Sequence, residues 1–127
     1  MTFLTFYHLR VLTLKKALIP SFIKVISTRA FSYCHELKIV EFEGESELQL
    51  IKDAAFCYCS IEEIKISPHV SEIGKMLFQD CDYLTKIEFS ENSELTQISI
   101  LFSITSIGNF SFSGCSSLAQ ILIPSSV

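Results

Sequence analysis

The chain has 127 residues, of which 49% are hydrophobic, and a formal net charge of −4 at pH 7. This length and apolar content are sufficient for one folded domain with a buried core. Nucleic-acid-binding surfaces are basic, and the negative net charge argues against one here. The apolar stretch 3–14 is shorter than the roughly 20 residues that a membrane span requires, and Arg10 interrupts it, so we predict neither a span nor a signal peptide.

A repeated spacing pattern surrounds four of the five cysteines. Apolar residues recur at offsets −11, −8, −3, +3, +6 and +8 from each cysteine, and a phenylalanine always fills the −3 position. Three complete copies are centred on Cys34, Cys81 and Cys115, and the copy centred on Cys59 has one residue deleted after the cysteine. A repeat of this length is typical of a solenoid, a stack of coils that acts through its surface rather than through a reaction centre.

Each repeat has two parts. The first part, VxxI followed by FxxC, predicts a short strand at VxxI and a turn or one helical turn around the phenylalanine. The second part, LxxIxI, ends in alternating residues such as Ile64, Lys65 and Ile66, which is typical of a strand with one buried face. Equivalent strands of successive repeats are expected to pair in parallel.

The whole chain, 1–127, is predicted to form one domain of successive repeats. In chain order these are a degenerate first repeat at 1–22, repeats at 23–42, 48–66 and 70–89, a half repeat at 90–103 and a last repeat at 104–127. The half repeat is expected to contain an extra strand near 95–100. Because Val127 begins a unit that does not follow, we expect an open apolar C-terminal end through which copies self-associate.

The candidates for chemistry are weak. Equivalent side chains of a parallel stack point the same way, so we expect five free thiols, with Cys57, which lies off the repeat column, the most exposed. Cys34 and His35 are adjacent, and adjacent side chains tend to point apart, which does not favour a nucleophile and its base. The three histidines occupy unrelated repeat positions, and the four glycines are scattered. We therefore predict no enzyme activity, no metal and no cofactor.

The outward strand positions carry opposite charges in successive repeats. One column contains Glu41, Lys65 and Glu88, and the column two residues earlier contains Ile39, Glu63 and Lys86. If the strands stack in register, each charge faces its opposite. Two interpretations follow: a solvated face on which charge pairs fix the register, or a mixed-charge surface that binds a protein partner. The predicted partner-binding residues are Glu41, Lys65, Glu88, Glu63 and Lys86.

The last repeat, ITSIGNFSFSGCSSLAQILIPSSV at 104–127, closely resembles the repeat of BspA-like leucine-rich repeat proteins, and the resemblance extends back to about Val11. Its FxxC before the strand is specific, because ordinary leucine-rich repeats have their Asn or Cys after the strand. The resemblance implies a β-rich leucine-rich-repeat solenoid with short parallel strands.

The resemblance also implies a role at the cell surface, in adhesion or in binding a host or extracellular-matrix protein. The alternatives are an intracellular leucine-rich-repeat scaffold in the cytoplasm, or a truncated repeat fragment without independent function. The sequence around Asn109 is an N-glycosylation acceptor, which has meaning only if the chain enters a secretory route.

Overall fold

The computed structural model describes residues 3–4, 13–89, 106–107, 111–116, 118 and 120–122. These residues form ten short strands and no helix, so the phenylalanine segment adopts the turn, not the helical turn, of the two predicted forms. The strands are β1 Phe3–Leu4, β2 Lys16–Ile19, β3 Val25–Ile26, β4 Ile39–Phe42, β5 Leu50–Ile51, β6 Glu63–Ile66, β7 Glu72–Ile73, β8 Lys86–Phe89, β9 Ser106–Ile107 and β10 Gln120–Leu122.

Alternate strands belong to two separate parallel sheets. The short-strand sheet has the order β1-β3-β5-β7-β9, and the long-strand sheet has the order β10-β8-β6-β4-β2. Each coil between 23 and 89 contributes one strand to each sheet, so the chain winds as a parallel β-solenoid. The predicted fold class is confirmed. The repeat boundaries stay predictions, and the segment 95–100, Asn109 and Val127 lie outside the described residues.

Alternation in the sequence explains why the long strands form where they do. In β6, Glu63 and Lys65 are exposed, whereas Ile64 and Ile66 are 3% and 0% exposed. In a strand, successive side chains point to opposite faces, so this pattern buries one face and leaves the other in solvent. The buried face of each coil then packs into the same interior as its neighbours.

The interior is organised around the phenylalanine column. Phe31, Phe56 and Phe78 are fully buried, and their rings stack in sequence with centroid distances of 5.3 Å and 5.9 Å. Phe112 continues the stack at 6.1 Å from Phe78. Such aromatic pairs are worth about 0.5–1.5 kcal/mol each beyond the apolar area that they bury. The repeat spacing therefore produces a continuous aromatic ladder along the solenoid axis.

Hydrogen bonds between coils continue around the turn that joins the two sheets. The amides of Arg29, Phe31 and Tyr33 donate to the next coil at distances of 3.0, 2.8 and 2.8 Å. Arg29 and Tyr33 reach this arrangement with positive φ values of 59° and 62°. Backbone amides that are removed from water need hydrogen-bond partners, and in this turn the neighbouring coil supplies them.

The deletion after Cys59 changes the pairing of the long-strand sheet. After Cys34, the amide of Leu37 closes a turn on the Cys34 carbonyl at 3.1 Å, whereas after Cys59 the amide of Ser60 donates to Leu37 of the preceding coil at 3.1 Å. β4 and β6 then share one register pair, Ile39 opposite Glu63, while β2–β4 and β6–β8 each share four. The missing residue thus shortens the ladder at this one coil boundary.

Candidate interaction surface

The long-strand sheet presents the predicted charged residues on its outward face. Glu63 lies opposite Lys86, and Lys65 lies opposite Glu88, as the sequence alignment predicts. Glu41 lies on β4, two residues beyond the Ile39–Glu63 pair. The register of the repeats therefore gathers charges from three successive strands into one patch.

All five predicted residues line one open groove on this face. The groove has a volume of about 580 Å³ and crosses β4, β6 and β8. Its lining is Lys38, Ile39, Val40, Glu41, Glu62, Glu63, Ile64, Lys65, Tyr83, Thr85, Lys86 and Glu88. A second groove of about 350 Å³ adjoins it through Glu41 and Lys65 and extends over the loop 43–46. Both grooves lie along the β4–β6 boundary, where the ladder is shortest.

The ion pairs on this face differ from the predicted ones. Within residues 13–88, Lys16 contacts Glu41 at 3.2 Å, diagonally across β2 and β4, and Lys86 contacts Glu88 at 3.6 Å, along one strand. Neither pair joins directly opposite residues. Because these side chains are at least one-third exposed, each pair is worth about 0–1 kcal/mol. Pairing between these charges therefore adds little stability, although the strands have the predicted register.

Apolar side chains accompany the charges, and the sequence interpretation did not include them in the site. Ile39 is 46% exposed inside the groove, and Tyr83 is 63% exposed at its border. Leu18, on the neighbouring β2, is 53% exposed on the same outward face. Ile39 breaks the charge alternation of its column, which is the one sequence signal that marks it. Exposed apolar anchors surrounded by polar residues are a usual composition of protein-binding surfaces.

The five cysteines are free, and four of them are buried. The prediction that Cys57 is the most exposed is wrong, since Cys57 is 7% exposed and Cys115 is the thiol that is only half-buried. The equivalent residue Ser32 is also buried, at 3% exposed, whereas the equivalent Gln79 is half-buried and Ser113 is exposed. Being off the repeat column therefore does not mean being on the surface.

A hydrogen bond with Cys59 lowers the pKa of Cys34, whereas the pKa values of the other four thiols are raised. Burial raises the pKa of Cys81 to about 12 and raises the pKa values of Cys57 and Cys115. Cys34 is fully buried and its Sγ faces the Ser32 carbonyl at 4.0 Å, whereas His35 is exposed and meets the Tyr33 ring. Among the described residues, no group of His, Cys, Asp and Glu could hold a metal ion.

A second column of surface residues takes the left-handed backbone conformation. Immediately before the cysteine column, Tyr33, Tyr58 and Asp80 have φ values of 62°, 58° and 55°, and Gly114 has 72°. Side chains other than glycine are disfavoured there by roughly 1–2 kcal/mol per residue. Tyr33 and Tyr58 nevertheless occupy this position, and their rings stack with centroids 4.7 Å apart.

Parallel strands, the phenylalanine column and a solvent-facing strand surface define a leucine-rich-repeat solenoid. The chain belongs to the family described as BspA type Leucine rich repeat region (6 copies), whose profile matches residues 4–94 and 88–127. No curated protein sequence matches the chain.

Solved structures share the fold over most of this chain. A leucine-rich repeat protein of T. pallidum has a TM-score of 0.71 at 24% identity, over 87% of this chain and 46% of its own, a likeness that shows the fold alone. A leucine-rich repeat protein from Eubacterium ventriosum has a TM-score of 0.69 at 25% identity, over 86% of this chain and 26% of its own. The pneumococcal vaccine antigen PcpA has a TM-score of 0.68 at 26% identity, over 88% of this chain and 31% of its own.

The chain thus spans less than half the length of each of these three proteins. No helix that is long and apolar enough to cross a membrane occurs among the residues that the structure describes.

Proposed function

We propose that this chain is a protein-interaction module whose partner binds the outward face of the long-strand sheet. The observation that carries the proposal is the groove of about 580 Å³, because one concave surface contains all five residues of the predicted face. Its exposed Ile39 and Tyr83 supply apolar contact area, and the charges around them supply selectivity and faster association.

The location of the charges supports binding over a purely structural role. The ion pairs that form on this face join side chains that are 38–55% exposed, so they contribute little to stability. Glu63 and Lys65 lie on the central strand of the groove and point to solvent. A protein partner can therefore pair with them without first breaking a buried network.

We further propose that the module belongs to a cell-surface molecule that binds a host or extracellular-matrix protein. Membership of the BspA-type family and likeness to the vaccine antigen PcpA support this role. The groove itself favours neither the cell surface nor the cytoplasm, since an intracellular scaffold would use the same face. Protease treatment of intact cells separates the two, because only a surface-exposed chain is cleaved.

Charge reversal at Lys65 tests the binding face. Lys65→Glu replaces the central cation of the groove, and Lys75→Glu is the matched control, an exposed lysine in the turn before Phe78. Binding to a panel of immobilised extracellular-matrix proteins is measured for both variants, together with urea denaturation.

We expect Lys65→Glu to weaken binding at least about fivefold, as loss of a contact worth about 1 kcal/mol does, and to leave the free energy of unfolding unchanged. Lys75→Glu should change neither quantity. A loss of stability in Lys65→Glu with unchanged binding would show instead that the charges only fix the register.

A further inference from the structure

The tyrosine pair next to the cysteine column forms a second surface, away from the charged groove. Tyr33 and Tyr58 stack with an interplanar angle of 8°, and the ring of His35 meets Tyr33 edge-on at 6.1 Å. Tyr33 is 43% exposed, and neither tyrosine belongs to the hydrophobic core. We call Tyr33, Tyr58 and Asp80 the tyrosine ledge; it shares no residue with the groove.

The backbone conformation of the ledge does not call for aromatic side chains. The last coil has Gly114 at this position, and glycine adopts the left-handed conformation without a steric penalty. Tyr33 and Tyr58 occupy the same position against their conformational preference, although burial does not require them there. Positive φ also recurs at Arg29, Ala54 and Met76, so the left-handed conformation belongs to the turn of each coil, and the stacked aromatic side chains are what distinguish the ledge. Two successive coils therefore display stacked aromatic rings at a turn position that burial does not require to be aromatic.

Carboxylates border the ledge on one side. Hydrogen bonding to the Asp80 carboxylate, together with its negative charge, raises the pKa of Tyr58. Asp82 lies two residues further along the chain, and both carboxylates lie close enough to Cys115 to raise the pKa of its thiol together with burial. Away from these carboxylates in sequence, Arg29 acts on the Cys57 thiol through its positive charge, opposite in sign to the effect of Asp80 on the same thiol. The side next to Asp80 and Asp82 is thus acidic.

We propose that the tyrosine ledge binds an arginine side chain of a partner protein. A guanidinium group is planar and stacks on aromatic rings, whose faces attract cations. The same group donates paired hydrogen bonds that match a carboxylate such as Asp80. Stacked rings beside an acidic border offer both contacts at once, and the fixed backbone holds the rings in place before the partner arrives.

Peptide binding followed by NMR tests this proposal. The probe is the peptide acetyl-Gly-Arg-Gly-Arg-Gly-amide, and its control replaces both arginines with citrulline, which keeps the planar shape and removes the charge. We expect the arginine peptide to shift the ring resonances of Tyr33 and Tyr58 saturably and to leave those of Tyr83 in place. The citrulline peptide should bind at least about fivefold more weakly.

Three variants complete the test. Tyr33→Gly and Asp80→Asn should each weaken binding of the arginine peptide at least about fivefold. Tyr33→Gly should remain folded, because glycine suits its backbone conformation, and circular dichroism checks this. Lys65→Glu in the charged groove should bind the peptide as the unmodified chain does, so failure of one proposal does not imply failure of the other.

Three results would overturn the inference. One is the absence of ring shifts at millimolar arginine peptide, and another is equal affinity for the citrulline peptide. The third is a matching shift of the same rings by a neutral oligosaccharide such as maltohexaose, which would assign the ledge to carbohydrate instead.

Discussion

The Sγ of Cys81 donates a hydrogen bond to the carbonyl oxygen of Phe56, one coil earlier, at 3.0 Å. The same bond recurs from Cys59 to Phe31 at 3.0 Å and from Cys115 to Phe78 at 2.9 Å. Each thiol therefore links its coil to the preceding one, and the cysteine column does more than fill space. A small apolar side chain with a donor group satisfies both requirements of this position.

Replacing Cys81 with alanine should destabilise the fold by about 1–3 kcal/mol. The substitution removes a fully buried sulfur atom and the donor to the Phe56 carbonyl, so a small cavity adds to a lost hydrogen bond. Urea denaturation measures the change. Cys57→Ala is the matched control, since Cys57 is also buried but lies outside the column, and it should lose less. Equal losses of stability in the two variants would mean that the hydrogen bond from Cys81 to Phe56 contributes nothing.

Stability should fall at alkaline pH because the Cys81 thiol resists ionisation in the folded chain. Burial raises the pKa of Cys81 from 9.0 to about 12. Above about pH 9 the unfolded chain has released this proton and the native chain has kept it, so the free energy of unfolding decreases as pH rises towards 12. The decrease is at most about 1.4 kcal/mol per pH unit for each such thiol, with no effect below pH 9. Urea denaturation across this range measures it, and Cys81→Ala should show a smaller slope.

Truncating Phe56 should destabilise the fold by about 3–5 kcal/mol, as loss of a packed aromatic ring does. Phe56 is fully buried and stacks on both neighbouring phenylalanines of the ladder. Thermal or urea denaturation of Phe56→Ala measures the loss. Phe22→Ala is the control, since Phe22 is 58% exposed and should change stability by less than about 0.5 kcal/mol. A near-neutral Phe56→Ala would contradict the solenoid core.

One inserted residue should repair the long-strand sheet. A serine placed between Ser60 and Ile61 restores the five-residue distance from cysteine to strand that follows Cys34 and Cys81. We expect β4 and β6 to pair over their full length and the free energy of unfolding to rise by about 1 kcal/mol. Hydrogen exchange of the amides at 39–42 and 63–66 measures the pairing. The same insertion next to Gly44, which has open space around it, is the control. Unchanged protection at both sites would contradict the role of the deletion.

Periodicity was sufficient to predict the strands and the core. Alternation at Ile64, Lys65 and Ile66 fixes which side chains are buried, and the constant spacing of phenylalanine and cysteine places both columns inside. The strand register followed from the same alignment. Such patterns are readable because a shift by one residue would turn every apolar side chain outward.

Side-chain and turn geometry could not be predicted in the same way. The alignment places Glu63 opposite Lys86, but long flexible side chains choose their partners by rotamer, and Lys86 pairs with Glu88 on its own strand instead. The positive φ values in the turn could not be predicted either, because tyrosine, present at 33 and 58, rarely adopts positive φ. Gly114 in the same column was the available signal. The partner-binding role of the charged face stays a prediction.

The single register pair between β4 and β6 affects how the coils hold together. In a repeat protein, the cooperativity of folding depends on the interface between each coil and the next. At this boundary the short-strand sheet keeps both of its pairs, and Phe31 and Phe56 remain stacked at 5.3 Å. Only the long-strand sheet has lost register pairs at this boundary. The boundary is therefore asymmetric, so we expect any separation of these two coils to begin at the long-strand sheet, while the phenylalanine stack and the short-strand sheet hold them together.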